Sequence, residues 1–230
     1  NKQVSSKQEY SRNSAKSSSL PDLRKYPSGT PRKKAFLRTV MPYITSQNAA
    51  ITAERNWLIS KQYQGQWSPA ERARLKDIAK RYKVKWSGNT RKIPWNTLLE
   101  RVDIIPTSMV ATMAAAESGW GTSKLARNNN NLFGMKCMKG RCTNAPGKVK
   151  GYSQFSSVKE SVSAYVTNLN THPAYSSFRK SRAQLRKADQ EVTATAMIHK
   201  LKGYSTKGKS YNNYLFAMYQ DNQRLIAAHM

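Results

Sequence analysis

The chain's 230 residues leave room for one good-sized domain, or one domain with an extension. With 38% hydrophobic and 10% aromatic residues it can build a real core, which excludes wholesale disorder. The charge is lopsided: 40 Lys and Arg against 12 Asp and Glu leave +28, which draws such a chain to polyanions, whether nucleic acid, acidic lipid or acidic glycan.

Residues 1–34 are rich in Ser and Lys, carry Pro21, Pro27 and Pro31, and have little to bury. That is the composition of a flexible basic arm. No charged-then-apolar leader opens the chain, so a targeting segment is expected to have been removed already. From Phe36 the pattern turns helical: Phe36, Val40 and Ile44 share a face, Pro42 predicts a kink, and Ile51, Trp57 and Leu58 continue the stripe. Ser68-Pro69-Ala70-Glu71 has the make-up of a helix start, with Leu75, Ile78, Ala79 and Tyr82 as the face to be buried. Trp95, Leu98, Leu99 and Val102 mark a further short helix. Residues 35–103 therefore read as a helical extension.

Pro106 introduces a Met- and Ala-rich helix from Thr107 to about Ser118, suited to close packing and stopped by Gly119 and Gly121. Its longest apolar run, Met109–Ala116, is far short of the ~20 residues a spanning helix needs. Between Asn128 and Phe155, short apolar runs among Asn, Gly, Cys and Pro predict a small antiparallel hairpin. Helices resume at Val158, near Phe178–Lys187 and Glu191–Lys202, and from Ser210 onward. The expected fold is mainly α: a helical core in 104–230, one small β-hairpin and an N-terminal helical extension.

Three His and two Cys argue against a His/Cys metal cluster, and neither a phosphate loop nor a dinucleotide fingerprint occurs. No metal and no cofactor are expected. Acid–base chemistry then falls to a His or to one of the twelve carboxylates. Glu117 stands out, because it ends an apolar helix where unpaired carbonyls present partial negative charge. That field and partial burial would favour a protonated carboxyl, as a general acid requires. A solvated helix-end Glu is the plainer alternative.

The run Ala114-Ala115-Ala116-Glu117-Ser118-Gly119-Trp120-Gly121-Thr122-Ser123, followed by Asn131-Leu132-Phe133-Gly134-Met135-Lys136, resembles the glucosaminidase domains of glycoside hydrolase family 73. One residue is added after Trp120-Gly121. Tyr152, Phe155, the Ser157–Val162 segment, Gly203-Tyr204-Ser205-Thr206 and Tyr211 extend the likeness over about residues 100–225. The resemblance implies a lysozyme-like α+β fold and a hydrolase acting mainly on peptidoglycan, or another N-acetylglucosamine-containing glycan, after N-acetylglucosamine. It implies that Glu117 is the general acid and that Tyr204, Tyr211, Trp120, Tyr152 and Asn131 are candidates for substrate contact.

Each of these residues also has a structural reading. Phe133 reads as core, while core and sugar platform both stand for Trp120, and Tyr211 is as readily a packed tyrosine. Asn128–Asn131 could equally form a tight turn, since Asn tolerates left-handed backbone. Glu160 reads as a first-turn charge on its helix. Cys137 and Cys142 would be free thiols in a reducing compartment. In an oxidising one they could pair if their Cα atoms lie within ~7 Å, and the resemblance favours the disulfide.

One departure from the family matters. Many members place a second carboxylate on the hairpin, yet between Glu117 and Glu160 this chain has no Asp or Glu and eight Lys or Arg. A base from elsewhere, attack by the substrate's own 2-acetamido oxygen, or binding without cleavage are the remaining possibilities. The leading expectation is a monomeric, exported hydrolase of the periplasm or cell envelope. A silent glycan-binding or cell-wall assembly module is the first rival. A basic nucleic-acid-binding protein is the second, weakened by the absence of any binding motif.

Overall fold

A computed structural model describes residues 20–138, 140, 142, 145–201 and 208–230. It is mainly helical: α1 (Thr30–Lys61), α2 (Pro69–Arg81), α3 (Trp95–Arg101), α4 (Thr107–Ser118), α5 (Lys124–Asn129), α6 (Val158–Thr171), α7 (Ser176–Lys187), α8 (Ala194–Met197) and α9 (Lys209–Ala227), with short 3-10 turns at Leu23–Lys25, Pro173–Tyr175 and Ile198–Lys200. Among the described residues no helix is long and apolar enough to cross a membrane. The chain divides into two compact units. One comprises Asn1–Ile44, Ala111–Tyr165 and Arg224–Met230, the other Thr45–Val110 and Val166–Gln223.

In the first unit the folded chain starts earlier than composition predicts. Residues 1–19 of the expected arm lie outside the described residues, but residues 20–34 are not a loose arm. Leu23 is fully buried on its 3-10 turn and α1 begins at Thr30. The anchor is local: Arg32 donates to the carbonyls of Leu23 (3.1 Å) and Tyr26 (3.0 Å), folding the segment back on the helix start. Phe36, Val40 and Ile44 are buried as their spacing predicts, joined by Leu37 and Met41, and α1 runs on through Pro42. In α4 every residue from 109 to 115 is buried, so this helix has no polar face before it reaches its C-terminal end.

Among the described residues the predicted hairpin is reduced to a single pairing, an isolated antiparallel bridge from Lys136 to Tyr152. Two backbone bonds flank it, Cys137 N–H to Gly151 C=O (3.1 Å) and Ser153 N–H to Met135 C=O (2.9 Å), and side chains extend the pairing. The buried Asn129 amide donates to the carbonyls of Val149 (3.1 Å) and Ser153 (3.3 Å) and its oxygen accepts from Val149 N–H (2.9 Å). The Ser153 hydroxyl donates to Lys136 C=O (2.8 Å) and accepts from Met138 N–H (3.1 Å). Polar groups withdrawn from water must be paired, and here amide and hydroxyl side chains pair them where strands are too short.

The second unit has its own core: Leu58, Leu75, Ile78, Ala79, Tyr82, Val84, Leu98 and Val102, with Trp57, Trp67, Trp86, Ile93, Trp95 and Leu99 packed against it. The Ser68–Glu71 signal is a complete capping box starting α2. Beneath this core lies Asp103, only 1% exposed. Arg186 grips it through two bonds (2.7 and 2.9 Å), with Arg55 at 3.6 Å and Arg182 at 3.9 Å. Burial alone would raise this carboxyl, but the hydrogen bonds from Arg186 and the charges of Arg182 and Arg55 outweigh it and hold Asp103 below the usual range. Arg182, wholly buried, also donates to the carbonyls of Asp103 (3.2 Å), Ile104 (3.0 Å) and Glu100 (2.8 Å).

Candidate active site

Glu117 is the penultimate residue of α4 and is half-buried. The helix is ended by its own side chains. The Ser118 hydroxyl donates back to Ala114 C=O (2.6 Å) and accepts from Gly121 N–H (2.9 Å), and Ser123 N–H returns to Ser118 C=O (3.0 Å). Gly119, Trp120 and Gly121 turn the chain through three successive positive φ angles of 54°, 55° and 81°. Gly121 has to be glycine: a Cβ there would drive into the Leu23 side chain and approach Phe36 at 3.2 Å. Ser123 then caps α5, which ends at Asn130 in the left-handed conformation.

The second half of the motif faces the first. Gly134, at φ +67°, passes so close to Glu117 that a Cβ on it would stand 3.0 Å from Glu117 Oε2. Its missing side chain lets backbone approach a carboxylate that any larger residue would crowd. The loop is shaped for this by Asn131, which is 1% exposed. Its amide donates to Met135 C=O (2.8 Å) and Ser153 C=O (3.1 Å), while its oxygen accepts from the N–H groups of Phe133 (3.4 Å) and Met135 (3.1 Å). Ser161 on α6 accepts from Leu132 N–H (3.2 Å). Beneath the loop Phe133 stacks on Tyr165, centroids 4.2 Å apart and planes 7° from parallel, a core residue as its sequence reading has it.

The other candidates divide. Asn131, expected among the substrate contacts, is buried with both ends of its amide engaged within the loop. Trp120 is half-buried, edge-on to Phe36 at 5.5 Å and capped by the Lys33 ammonium at 5.0 Å, contacts that anchor it to α1. Tyr152 is half-buried at the lone bridge to Lys136. Tyr211 lies half-buried on the first turn of α9, and Tyr204 falls in 202–207, outside the described residues. Cys137 and Cys142 are joined, with Cα atoms 5.2 Å apart.

Within Glu117's unit the other described carboxylates serve local turns. Asp22 is bound twice by Arg24 (2.9 and 3.0 Å), and that guanidinium holds its carboxyl down at about 2. Glu160 accepts from Ser156 N–H (2.8 Å) at the start of α6, where the Ser157 hydroxyl accepts from Glu160 N–H (3.1 Å). Among the described residues no cluster of three His, Cys, Asp or Glu could hold a metal ion. Sequence reading missed Asn129, Ser153 and Ser161 as the frame of the site. Four consecutive Asn were the visible signal, since only alternate members, Asn129 and Asn131, turn inward.

The site thus sets one half-buried carboxyl at a helix end against the backbone of a glycine loop, an arrangement suited to delivering a proton to a group lodged beside it. No solved structure matches the chain. The family model for glucosaminidase, described as mannosyl-glycoprotein endo-beta-N-acetylglucosaminidase, matches residues 94–224, more than half of the chain and including both Glu117 and Gly134. The chain belongs to the glucosaminidase family.

Proposed function

We propose that the protein is a peptidoglycan hydrolase that cuts the glycosidic bond after N-acetylglucosamine, with Glu117 as general acid. The observation that carries this reading is the approach of Gly134 to Glu117 Oε2, because it joins the two halves of the motif around one carboxyl. Residues 104–230 are the catalytic segment in this reading and 35–103 the extension. Taken whole, the chain resembles the bacterial Bax protein, a hydrolase of the same type. The reading places it in the periplasm or cell envelope, as a monomer, and the Cys137–Cys142 pairing suits that compartment.

The step proceeds without a second carboxylate. Glu117 gives its proton to the leaving glycosidic oxygen, and the bond from that oxygen to the anomeric carbon breaks. The carbonyl oxygen of the substrate's 2-acetamido group bonds to the same carbon, forming a cyclic oxazolinium ion. Water then adds at that carbon while Glu117, now a carboxylate, takes a proton from it, and the acetamido group is restored. Tyr204 and Tyr211 orient the acetamido group by hydrogen bonding. Support comes from the 118–159 stretch, which holds no Asp or Glu, and from the engagement of Asp22 and Glu160 in local turns.

A zymogram on embedded sacculi, Glu117→Gln beside the parent, tests the assignment. Clearing by the parent and none by the variant is expected. Equal clearing removes Glu117 as the acid, and no clearing by a folded parent favours the silent glycan-binding module. Early product of retained anomeric configuration is expected by NMR, and an inverted product rules out the acetamido route.

A further inference from the structure

Residues 57–95 hold four of the five tryptophans. Three of them close on one another: Trp57 meets Trp67 edge-on at 6.3 Å, Trp67 lies 6.3 Å from Trp95, and the Arg74 guanidinium covers Trp57 at 4.4 Å. Trp86 is different. It is half-buried against the core of its unit like the other three but stands outside their ring contacts, and its indole N–H donates to Asn89 C=O at 3.0 Å, which fixes the ring's orientation. The loop that carries it is braced throughout. Asn89 C=O also accepts from Lys92 N–H (3.0 Å), Asn89 Oδ1 accepts from Arg91 N–H (3.0 Å), Val84 N–H reaches Ala79 C=O (2.8 Å), and Arg101 holds Lys83 C=O (2.7 Å).

This loop is strongly cationic. Lys83, Lys85, Arg91 and Lys92 are all exposed, and among the described residues none of them is in an ion pair. No Asp or Glu occurs between Asp77 and Glu100. Nearby on α1 and α2 the pattern is reversed: Arg81 is neutralised by Glu54 (2.9 Å) and Asp77 (2.8 Å), and Lys61 by Glu71 (2.5 Å). A fixed aromatic face among uncompensated cations fits a partner with flat apolar faces and carboxylates in alternation.

We propose that loop 83–93 is a binding site for an anionic glycan strand, outside the matched glucosaminidase span. Trp86 lies against the C–H face of a sugar ring, and Lys83, Lys85, Arg91 and Lys92 meet carboxylates on the strand. The proposal rests on the reading of peptidoglycan, whose peptide stems carry carboxylates, as the polymer this protein acts on. A single-stranded nucleic acid is less well served, since it is gripped by a succession of open aromatic platforms and here the other three indoles are closed on each other.

The test uses the full chain and purified sacculi in a co-sedimentation assay at low and physiological salt. Trp86→Leu keeps apolar packing but removes the flat face, Trp86→Tyr restores a ring, and Lys85→Glu, Arg91→Glu and Lys92→Glu together reverse exposed charges without touching the core. Turnover of a short neutral N-acetylglucosamine oligosaccharide is measured alongside. Roughly threefold to tenfold weaker retention is expected for Trp86→Leu, with recovery in Trp86→Tyr. The charge variant should lose about tenfold or more at low salt, and less at high salt. Short-oligosaccharide turnover should hold in all of them. Retention unchanged in Trp86→Leu, with the charge variant losing sacculi and polyglutamate alike, would reduce the loop to plain charge and overturn the proposal. So would unchanged sacculus retention with weakened single-stranded DNA binding. If the parent cleaves no glycan but Trp86→Leu still loses sacculi, the hydrolase reading fails and this site stands.

Discussion

The loop facing Glu117 and the pocket around Asp103 are both buried polar networks, but they are built from opposite materials. Around Asp103 three guanidiniums converge on one ionised carboxylate. Around Asn129, Asn131 and Ser153 the work is done by neutral amides and a hydroxyl bonding to backbone. Under the proposed function the difference separates a structural carboxylate from a chemical one. Asp103 is tied so firmly to Arg that it has no proton to give at neutral pH, whereas the loop beside Glu117 offers backbone and no acidic side chain among its described residues. Carboxylates near a site are therefore poor guides to chemistry unless their partners are known.

Exchanging each acid for its amide sharpens the contrast most. Glu117→Gln should cost ~10²–10⁴-fold in hydrolysis, the usual effect of removing a general acid, with little change in melting temperature. Asp103→Asn should do the reverse. It leaves the buried Arg182 and the half-buried Arg55, with the exposed Arg186, without their carboxylate, a loss on the order of 3–5 kcal/mol, and any protein that remains folded should retain activity. Thermal melts and zymograms run on both variants check the pair. Were Asp103→Asn to melt like the parent, the charged network would not be the keystone of its unit.

Acid should single out the same network. The folded Asp103 carboxyl lies below its unfolded value, so its contribution to stability is complete above about pH 4 and is lost as pH falls through the lower folded value. The melting temperature should fall across that acidic window in the parent, and fall less in a folded Asp103→Asn protein. Equal slopes in the two would show that other carboxylates dominate the acid limb.

Much of this was legible in the residues, and the gaps have physical causes. The Ser68–Glu71 capping box, the buried Phe36–Val40–Ile44 stripe and the termination of α4 are local features, written in contiguous residues whose spacing alone decides them. The Asp103 network was not legible, because Arg55, Arg182 and Arg186 come from α1 and α7 and nothing short-range distinguishes them from the other basic residues. The hairpin was expected from apolar runs between Gly and Pro. Among the described residues it shrinks to one bridge, with Asn129, Asn131 and Ser153 bonded to backbone groups that a longer ladder would use. The loop-shaping bonds of Asn131 were equally invisible: its place in the motif suggests a ligand contact, and only the fold shows its amide engaged with the loop backbone.

Gly134 joins the neutral network to the acid, and a methyl group there probes the junction. Gly134→Ala would strain a residue at φ +67° by about 1–2 kcal/mol and press its Cβ to 3.0 Å from Glu117 Oε2. The carboxyl can yield only by turning away, so turnover should fall roughly tenfold or more while sacculus binding holds, a misplacement effect. Kinetics on a short oligosaccharide separate the two. Unaltered turnover would mean that the carboxyl does not depend on the close approach of this backbone.

The smallest effect is expected where the neutral network reaches solvent. Cys137 and Cys142 are both exposed and enclose a short loop, their sequence separation being 5. Chain-entropy arguments give such a closure at most about 2 kcal/mol, a shift of only a few degrees in a chain of this size. The local effect should be the larger one. Cys137 N–H donates to Gly151 C=O (3.1 Å), and the next residue, Met138, donates to Ser153 Oγ (3.1 Å), so the pair anchors the outer end of the bonds that shape the Glu117 loop. Opening it by Cys137→Ser with Cys142→Ser should speed amide exchange in 135–138 and 151–153 and lower turnover severalfold, while the melting temperature barely moves. The charged network of the other unit should exchange as before. If exchange at Asn170 and Arg182 rose together with exchange at Ser153, the two networks would open as one, and the division drawn between them would fail.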